Sequence, residues 1–197
     1  MKIGLYGGTF DPIHLGHLIV MENVLNFLDI DKIIILPSSN PPHKLNKEKT
    51  KVSLRIEMVK IAIADNPRIE LSTYEARNEK VVYTHETLDY YKKTYPDDEF
   101  YYIMGEDSFM TIDTWKNYEK ILNDKLIVFT RSDTDSHSEL VKKVNQVKKD
   151  NKDIYLINNL NINISSTLIR NLVKEGKSIK YLVKDDVIDF IGENNLY

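Results

Sequence analysis

The sequence predicts an α/β fold: a doubly wound parallel sheet with helices on both faces and a short C-terminal helical segment. Three observations predict it. Short apolar runs alternate with stretches of helical period along the whole chain. The runs are the short, apolar kind that strands buried on both faces require. A glycine-rich turn joins the first such run to the first helical stretch, at the place where sheets of this kind bind ligands.

Each element follows from its own pattern. The strands are expected at Lys2–Tyr6, Lys32–Leu36, Ile69–Ser72, Glu99–Met104, Lys125–Thr130 and Asp153–Ile157. Helical periodicity lies between them at Leu15–Leu28, Val52–Ala64, Thr84–Tyr95, Trp115–Leu122 and Ser138–Lys149. Two short helices follow. Ser166–Glu175 has Ser165 or Ser166 as its N-cap and Gly176 as its C-cap, and Asp186–Ile191 lies near the end. The arrangement is Rossmann-like. The 197 residues suit one domain, 1–197, with a helical part from about 160 onward.

Composition excludes several classes. A net charge of −3 argues against a general nucleic-acid surface, although local clusters and not totals meet phosphates. Lys142 to Lys152 is lysine-rich and reads as a solvated face. The chain has no cysteine, hence no disulfide framework, thiolate zinc site or cysteine nucleophile. The start, Met1-Lys2-Ile3-Gly4, reads as a strand and not a signal peptide. No apolar run approaches the roughly 18 residues of a membrane span. A cytoplasmic protein, with no membrane or nucleic-acid partner, is expected; the pattern leaves a homo-oligomer open.

Gly7 to Leu18, GGTFDPIHLGHL, is the most informative segment. Backbone N–H groups of a glycine turn and a helix N-terminus attract anions. Gly7 and Gly8 admit a ligand close to the main chain. His14 and His17 stand at i, i+3 and face one point, and Gly16 keeps a side chain away from them. Phosphate donation suits this context. A metal pair would need further ligands, and Asp11 is the only nearby carboxylate, so no metal-ligating set is assigned.

Ile164-Ser165-Ser166-Thr167-Leu168-Ile169-Arg170 opens another helix far along the chain. It is either an ordinary capped helix with a solvent arginine or a second phosphate clamp of hydroxyls, N–H groups and a guanidinium. Two clamps in one small chain point to a polyphosphate between them. Other segments have double readings too. Pro41-Pro42-His43-Lys44 is a stiff connector or a loop presenting two cations. Trp115, the only tryptophan, is a packing aromatic or a flat platform for a ligand ring. Asp107, after Gly105, is a helix N-cap or an acceptor for ribose hydroxyls.

The two principal segments together resemble the nucleotidyltransferase family with the GxFxPxHxGH and ISSTxIR signatures. The first matches at Gly8, Phe10, Pro12, His14, Gly16 and His17, the second from Ile164 to Arg170. Pro41 to Lys44, Tyr83-Thr84 ahead of Thr87-Leu88, and Gly105 to Ser108 followed by Trp115 resemble the branch acting on nicotinate mononucleotide in NAD synthesis. The resemblance runs nearly end to end. It implies ATP, with Mg²⁺, and nicotinate mononucleotide as ligands. Gly7, Gly8, Thr9, Phe10, His14, His17, Gly105, Asp107, Ile164, Ser165, Ser166, Thr167 and Arg170 would meet ATP. Thr9, Phe10, Lys44, Tyr83, Thr84 and Trp115 would meet the mononucleotide. His14, His17, Lys44 and Arg170 would carry catalysis. The chain departs from the family at Arg77 to Val82, which lacks the usual glycine and serine, and at His85-Glu86, where aspartate is commoner in second place. The other readings are a relative acting on phosphopantetheine or a cytidylyl donor, a nucleotide sensor without turnover, and an RNA-handling protein sharing the HxGH turn.

Overall fold

The computed structural model describes residues 1–39, 49–78, 80–130, 134–147, 153–158 and 162–197. Its strands are β1 (Lys2–Gly8), β2 (Lys32–Pro37), β3 (Ile69–Leu71), β4 (Glu99–Gly105), β5 (Lys125–Thr130) and β6 (Ile154–Asn158). They form one sheet in the order β3-β2-β1-β4-β5-β6, and every neighbouring pair is parallel. This is the doubly wound order. Its direction reverses between β1 and β4, and the carboxyl ends of those strands, Gly8 and Gly105, open onto the crevice where such sheets bind ligands.

Alternate residues of each strand feed two cores. Tyr6, Ile33, Ile35, Ile103, Ile127 and Phe129 face one side. That face is covered by α1 (Leu15–Phe27), α2 (Val52–Ile63), α7 (Ser166–Lys174) and α8 (Asp185–Glu193). Leu5, Ile34, Leu36, Tyr102, Met104 and Val128 face the other. There α3 (Thr84–Thr94), α4 (Glu106–Met110), α5 (Tyr118–Ile121) and α6 (Thr134–Val147) pack. The C-terminal helices are built into the first core: Ile169, Ile179, Val183, Val187 and Ile191 are all buried in it. Among the described residues, no helix is long and apolar enough to cross a membrane.

The strands and long helices agree with the sequence expectation to within a few residues, with one exception. The expected helix Trp115–Leu122 does not exist as such. A 3-10 turn at Ile112–Thr114 comes first, Trp115 is extended, and α5 is only four residues long. Asn117 stands in the left-handed region at φ 53, which no helix accommodates. Thr114 therefore caps no helix at Trp115; its hydroxyl donates to Thr111 O at 2.7 Å. Asp107 is likewise not an N-cap: Gly105 takes that position, and Asp107 lies exposed in the first turn of α4.

Candidate active site

The β1–α1 loop is built around two imidazoles. His14 is the N-cap of α1 and buried, whereas His17 is partly exposed at the third helical position. The backbone N–H of each residue donates to Nδ1 of the other at 3.3 Å. The rings stack with centroids 3.6 Å apart. Because Nδ1 accepts on both rings, the hydrogen of each neutral imidazole sits on Nε2. The loop thus fixes a pair of stacked imidazoles.

Close approach sets the glycines. A Cβ on Gly8 would lie 2.6 Å from Phe10 Cζ, so the Phe10 ring needs glycine beneath it. Phe10 holds a left-handed backbone at φ 48 and packs edge-on against His17 at 5.0 Å. That conformation is costly for a bulky residue and is maintained by the packing around it. A Cβ on Gly16 would lie 3.0 Å from His14 Nδ1. Gly16→Ala is therefore expected to push the His14 ring out of its stack and lower kcat about tenfold. Melting should change little, since the helix propensity of alanine, about 1 kcal/mol at most, is offset by the weakened His14 cap. Steady-state kinetics beside a thermal melt check this pair of outcomes.

The second segment joins the first directly. Ser165 is the N-cap of α7, its hydroxyl accepting from Leu168 N–H at 3.1 Å. Ser166 instead donates its hydroxyl to Pro12 O at 2.9 Å. Arg170 Nη1 donates to Asp11 O at 2.7 Å and Nη2 to Thr167 Oγ1 at 3.2 Å. Ile164 packs against the core, with its Cβ 3.7 Å from where a Gly16 Cβ would stand. Two short stretches 154–159 residues apart thus share one wall. Two contacts engage only part of the guanidinium's donor fork, which suits a phosphate as a further partner.

Asp11 is a hydrogen-bonding hub. Its Oδ1 accepts from the Tyr197 hydroxyl at 2.8 Å and its Oδ2 from Thr50 N–H at 3.3 Å. Burial and the neighbouring Asp11 charge raise the Tyr197 phenol above its ordinary range, so it stays a donor. No group of three or more histidines, cysteines or carboxylates that would hold a metal occurs among the described residues. Histidines, an arginine and backbone N–H groups are partners for phosphate oxygens. A divalent cation here would be held through those oxygens, with few protein ligands.

Arg55 is a site-shaping residue that the motifs do not reveal. It is 1% exposed. Its guanidinium donates to Thr9 O, to Ser38 O at 2.8 Å and to Thr50 O at 3.0 Å. Burial lowers its pKa, and Asp11 opposes that. It ties the loop after β1 to both stems of the segment 40–48. The expected Pro41-Pro42-His43-Lys44 motif lies within that segment, outside the described residues, so Lys44 has no place in this geometry. The sequence did hold a signal for Arg55: with Met58, Val59 and Ala62 it follows the i, i+3, i+4, i+7 register of the buried face.

A third region borders the crevice from the opposite face. Tyr83 caps α3, and its N–H donates to Glu86 Oε2 at 2.9 Å. Thr84 Oγ1 lies 3.4 Å from the Tyr102 hydroxyl on β4. A Cβ on Gly7 would lie 2.7 Å from that hydroxyl. Tyr102 thereby connects β1 to the start of α3, and burial raises its pKa. Trp115 is partly buried against the second core. Lys116 Nζ stands 4.1 Å over the Tyr83 ring.

Residues 5–172 match the family model described as cytidylyltransferase-like. A Clostridium novyi protein named a probable nicotinate-nucleotide adenylyltransferase is 40% identical over 197 residues, spanning 100% of this chain and 98% of the relative. A Clostridium botulinum protein of the same name is 37% identical over 195 residues, 98% of this chain and 97% of its own. Among solved structures, the Plasmodium falciparum nicotinic acid mononucleotide adenylyltransferase complexed with NaAD superposes with a TM-score of 0.83 at 26% identity. That match covers 100% of this chain and 97% of the other.

Proposed function

We propose a route for the reaction from one premise: this chain belongs to the cytidylyltransferase-like family and, within it, to the nicotinate-nucleotide adenylyltransferases. It transfers adenylyl from ATP to nicotinate mononucleotide, giving nicotinate adenine dinucleotide and pyrophosphate in NAD biosynthesis. An oxygen of the acceptor's 5′-phosphate attacks the α-phosphorus of ATP, and the bond from that phosphorus to the α,β-bridging oxygen breaks. The attacking phosphate is already ionised near neutral pH, so no general base and no covalent enzyme intermediate are needed. Catalysis is alignment plus charge stabilisation.

The observation that carries this reading is the junction of Ser166 with Pro12 and of Arg170 with Asp11, which sets a cationic side chain beside the histidine pair. The Nε2–H groups of His14 and His17 steady the α-phosphate and the bridging oxygen as it takes up charge. Arg170, with Lys44 from the neighbouring loop, holds the outgoing pyrophosphate. Gly7, Gly8, Thr9 and Phe10 offer main chain to the phosphates. Ser165, Ser166 and Thr167 line the pyrophosphate end beside Ile164. Gly105 and Asp107 face the ribose of ATP at the end of β4. Mg²⁺ entering with ATP would supply charge neutralisation at the phosphates that these residues hold. Thr9 and Phe10 also border the mononucleotide; Tyr83, Thr84 and Trp115 take its pyridine ring and carboxylate. We read the chain as one nucleotidyltransferase domain, with the part from about 160 onward completing its phosphate clamp.

Pyrophosphate release with ATP and Mg²⁺ tests the reading, with nicotinate mononucleotide, nicotinamide mononucleotide and phosphopantetheine compared side by side. Turnover with the first alone is expected. Preference for another acceptor would keep the phosphate clamps and discard the pocket of Tyr83, Thr84 and Trp115. No turnover with any of them would leave a nucleotide-binding protein without this activity.

A further inference from the structure

Away from the phosphate-binding loops, the first turn of α3 holds a buried histidine with one ring nitrogen engaged and the other not. His85 is 7% exposed. Its Nε2 lies 3.0 Å from Asn117 Nδ2. The Asn117 amide nitrogen only donates, so Nε2 accepts and the ring hydrogen sits on Nδ1. Among the described residues, His85 Nδ1 is the only buried side-chain polar atom without a hydrogen-bond partner. A buried donor left unpaired is unfavourable, and an apolar side chain would fill this position with more stability. What His85 gains in exchange is its grip on Asn117.

That grip falls on a turn that otherwise rests on short-range backbone bonds, Trp115 N–H to Ile112 O at 2.9 Å and Tyr118 N–H to Trp115 O at 3.1 Å, and on the packing of Trp115 against the second core. Residues 115–117 link a three-residue 3-10 turn to a four-residue helix, and neither is long enough to be stable alone. Asn117 is held left-handed at φ 53. Two consecutive residues of the turn clasp the start of α3: Lys116 lies over the Tyr83 ring at 4.1 Å, and Asn117 meets His85 at 3.0 Å. Trp115 is the next residue back along the chain. Its Cα is about 3.8 Å from that of Lys116, so a shift of the clasp moves the backbone that carries the indole, whose ring also packs against the second core.

We propose that His85 is a positioning residue for the acceptor pocket. Through Asn117 it holds the 115–117 turn against the start of α3 and so sets where the Trp115 ring stands for the pyridine ring of the mononucleotide. This rests on the reading that Tyr83, Thr84 and Trp115 receive that ring. His85 itself touches no reacting atom.

Side-chain geometry supplies the test. A glutamine at 85 places its amide near the position of Nε2, and an asparagine places it near Nδ1. Trp115 is the only tryptophan, so its emission reports the turn in the free enzyme. His85→Asn and Asn117→Gly are each expected to raise the KM for nicotinate mononucleotide about tenfold while the KM for ATP stays within about twofold. Both should shift the tryptophan emission to the red. His85→Gln should restore both readings, and the double variant should be no worse than either single one. Unchanged emission and KM in His85→Asn would overturn the proposal. So would a parallel rise of both KM values, which marks general damage, or a His85→Gln variant as impaired as His85→Asn. If the unaltered enzyme does not use nicotinate mononucleotide, the acceptor reading fails separately. The emission shift and its restoration still decide whether His85 holds the turn.

Discussion

Replacing His17 with alanine is expected to lower kcat by about 10²–10³, the usual loss when one donor to a charged transition state is removed. His17 is partly exposed, and its Nδ1 accepts the N–H of His14, which leaves Nε2 as the donor. Its ring stacks on His14 at 3.6 Å and meets Phe10 edge-on at 5.0 Å, so packing fixes its direction. The melting temperature should fall by several degrees with the fold intact, since alanine leaves the His14 N–H without its acceptor, and KM for both substrates should move far less than kcat. His17→Gln, whose amide nitrogen reaches near the Nε2 position, should recover part of the rate. Steady-state pyrophosphate release decides the matter; near-normal turnover in the alanine variant would remove His17 from the reaction.

The largest expected effect on stability lies at Glu75, behind the start of α3. It is buried and accepts the Thr87 hydroxyl at 2.9 Å. Burial pushes its carboxyl up to about 7 from 4.5, partly offset by that hydrogen bond. Between these two values the folded protein holds a proton that the unfolded chain has released, so stability falls as pH rises through this window. The loss is complete above about pH 7 and amounts to about 3 kcal/mol at 1.36 kcal/mol per unit. Glutamine keeps an oxygen for Thr87 and does not ionise. Glu75→Gln should therefore melt about 6–12 °C higher at pH 8 and show little difference at pH 5. Melts of both proteins across pH 5–8 check this. A difference independent of pH would mean that the carboxylate's charge is compensated in the fold.

How much of this was legible in the sequence varied with the kind of force involved. The strands and long helices could be read because burial on two faces demands apolar runs, as at Ile33–Leu36 and Leu126–Phe129. The two motif segments could be placed because glycines, histidines and a capped helix with an arginine leave a local pattern. The 106–122 stretch was harder. Its short elements end at Asn117, whose left-handed backbone no periodicity announces. The two motif segments could be read as sharing a ligand, but their direct bonds could not: nothing near Asp11 foretells its contacts with Arg170 and Tyr197. His85 departed from the family pattern, yet only its place beside Asn117 gives that departure a role.

The junction between residues 11 and 170 also bears on how the protein is made. A ribosome adds about 5–20 residues each second, and the amino-terminal part of a chain emerges first. β1, α1 and the histidine pair are present early, and β4 completes the switch point once residue 105 has been added. Through all of this the loop holding His14 lacks the hydroxyl of Ser166 and the guanidinium of Arg170 that fasten it. A nascent chain halted near residue 160 has the sheet's central strands but an unclasped nucleotide cleft. Such a fragment would sequester little ATP, and competence arrives only once residues 166–170 have been added.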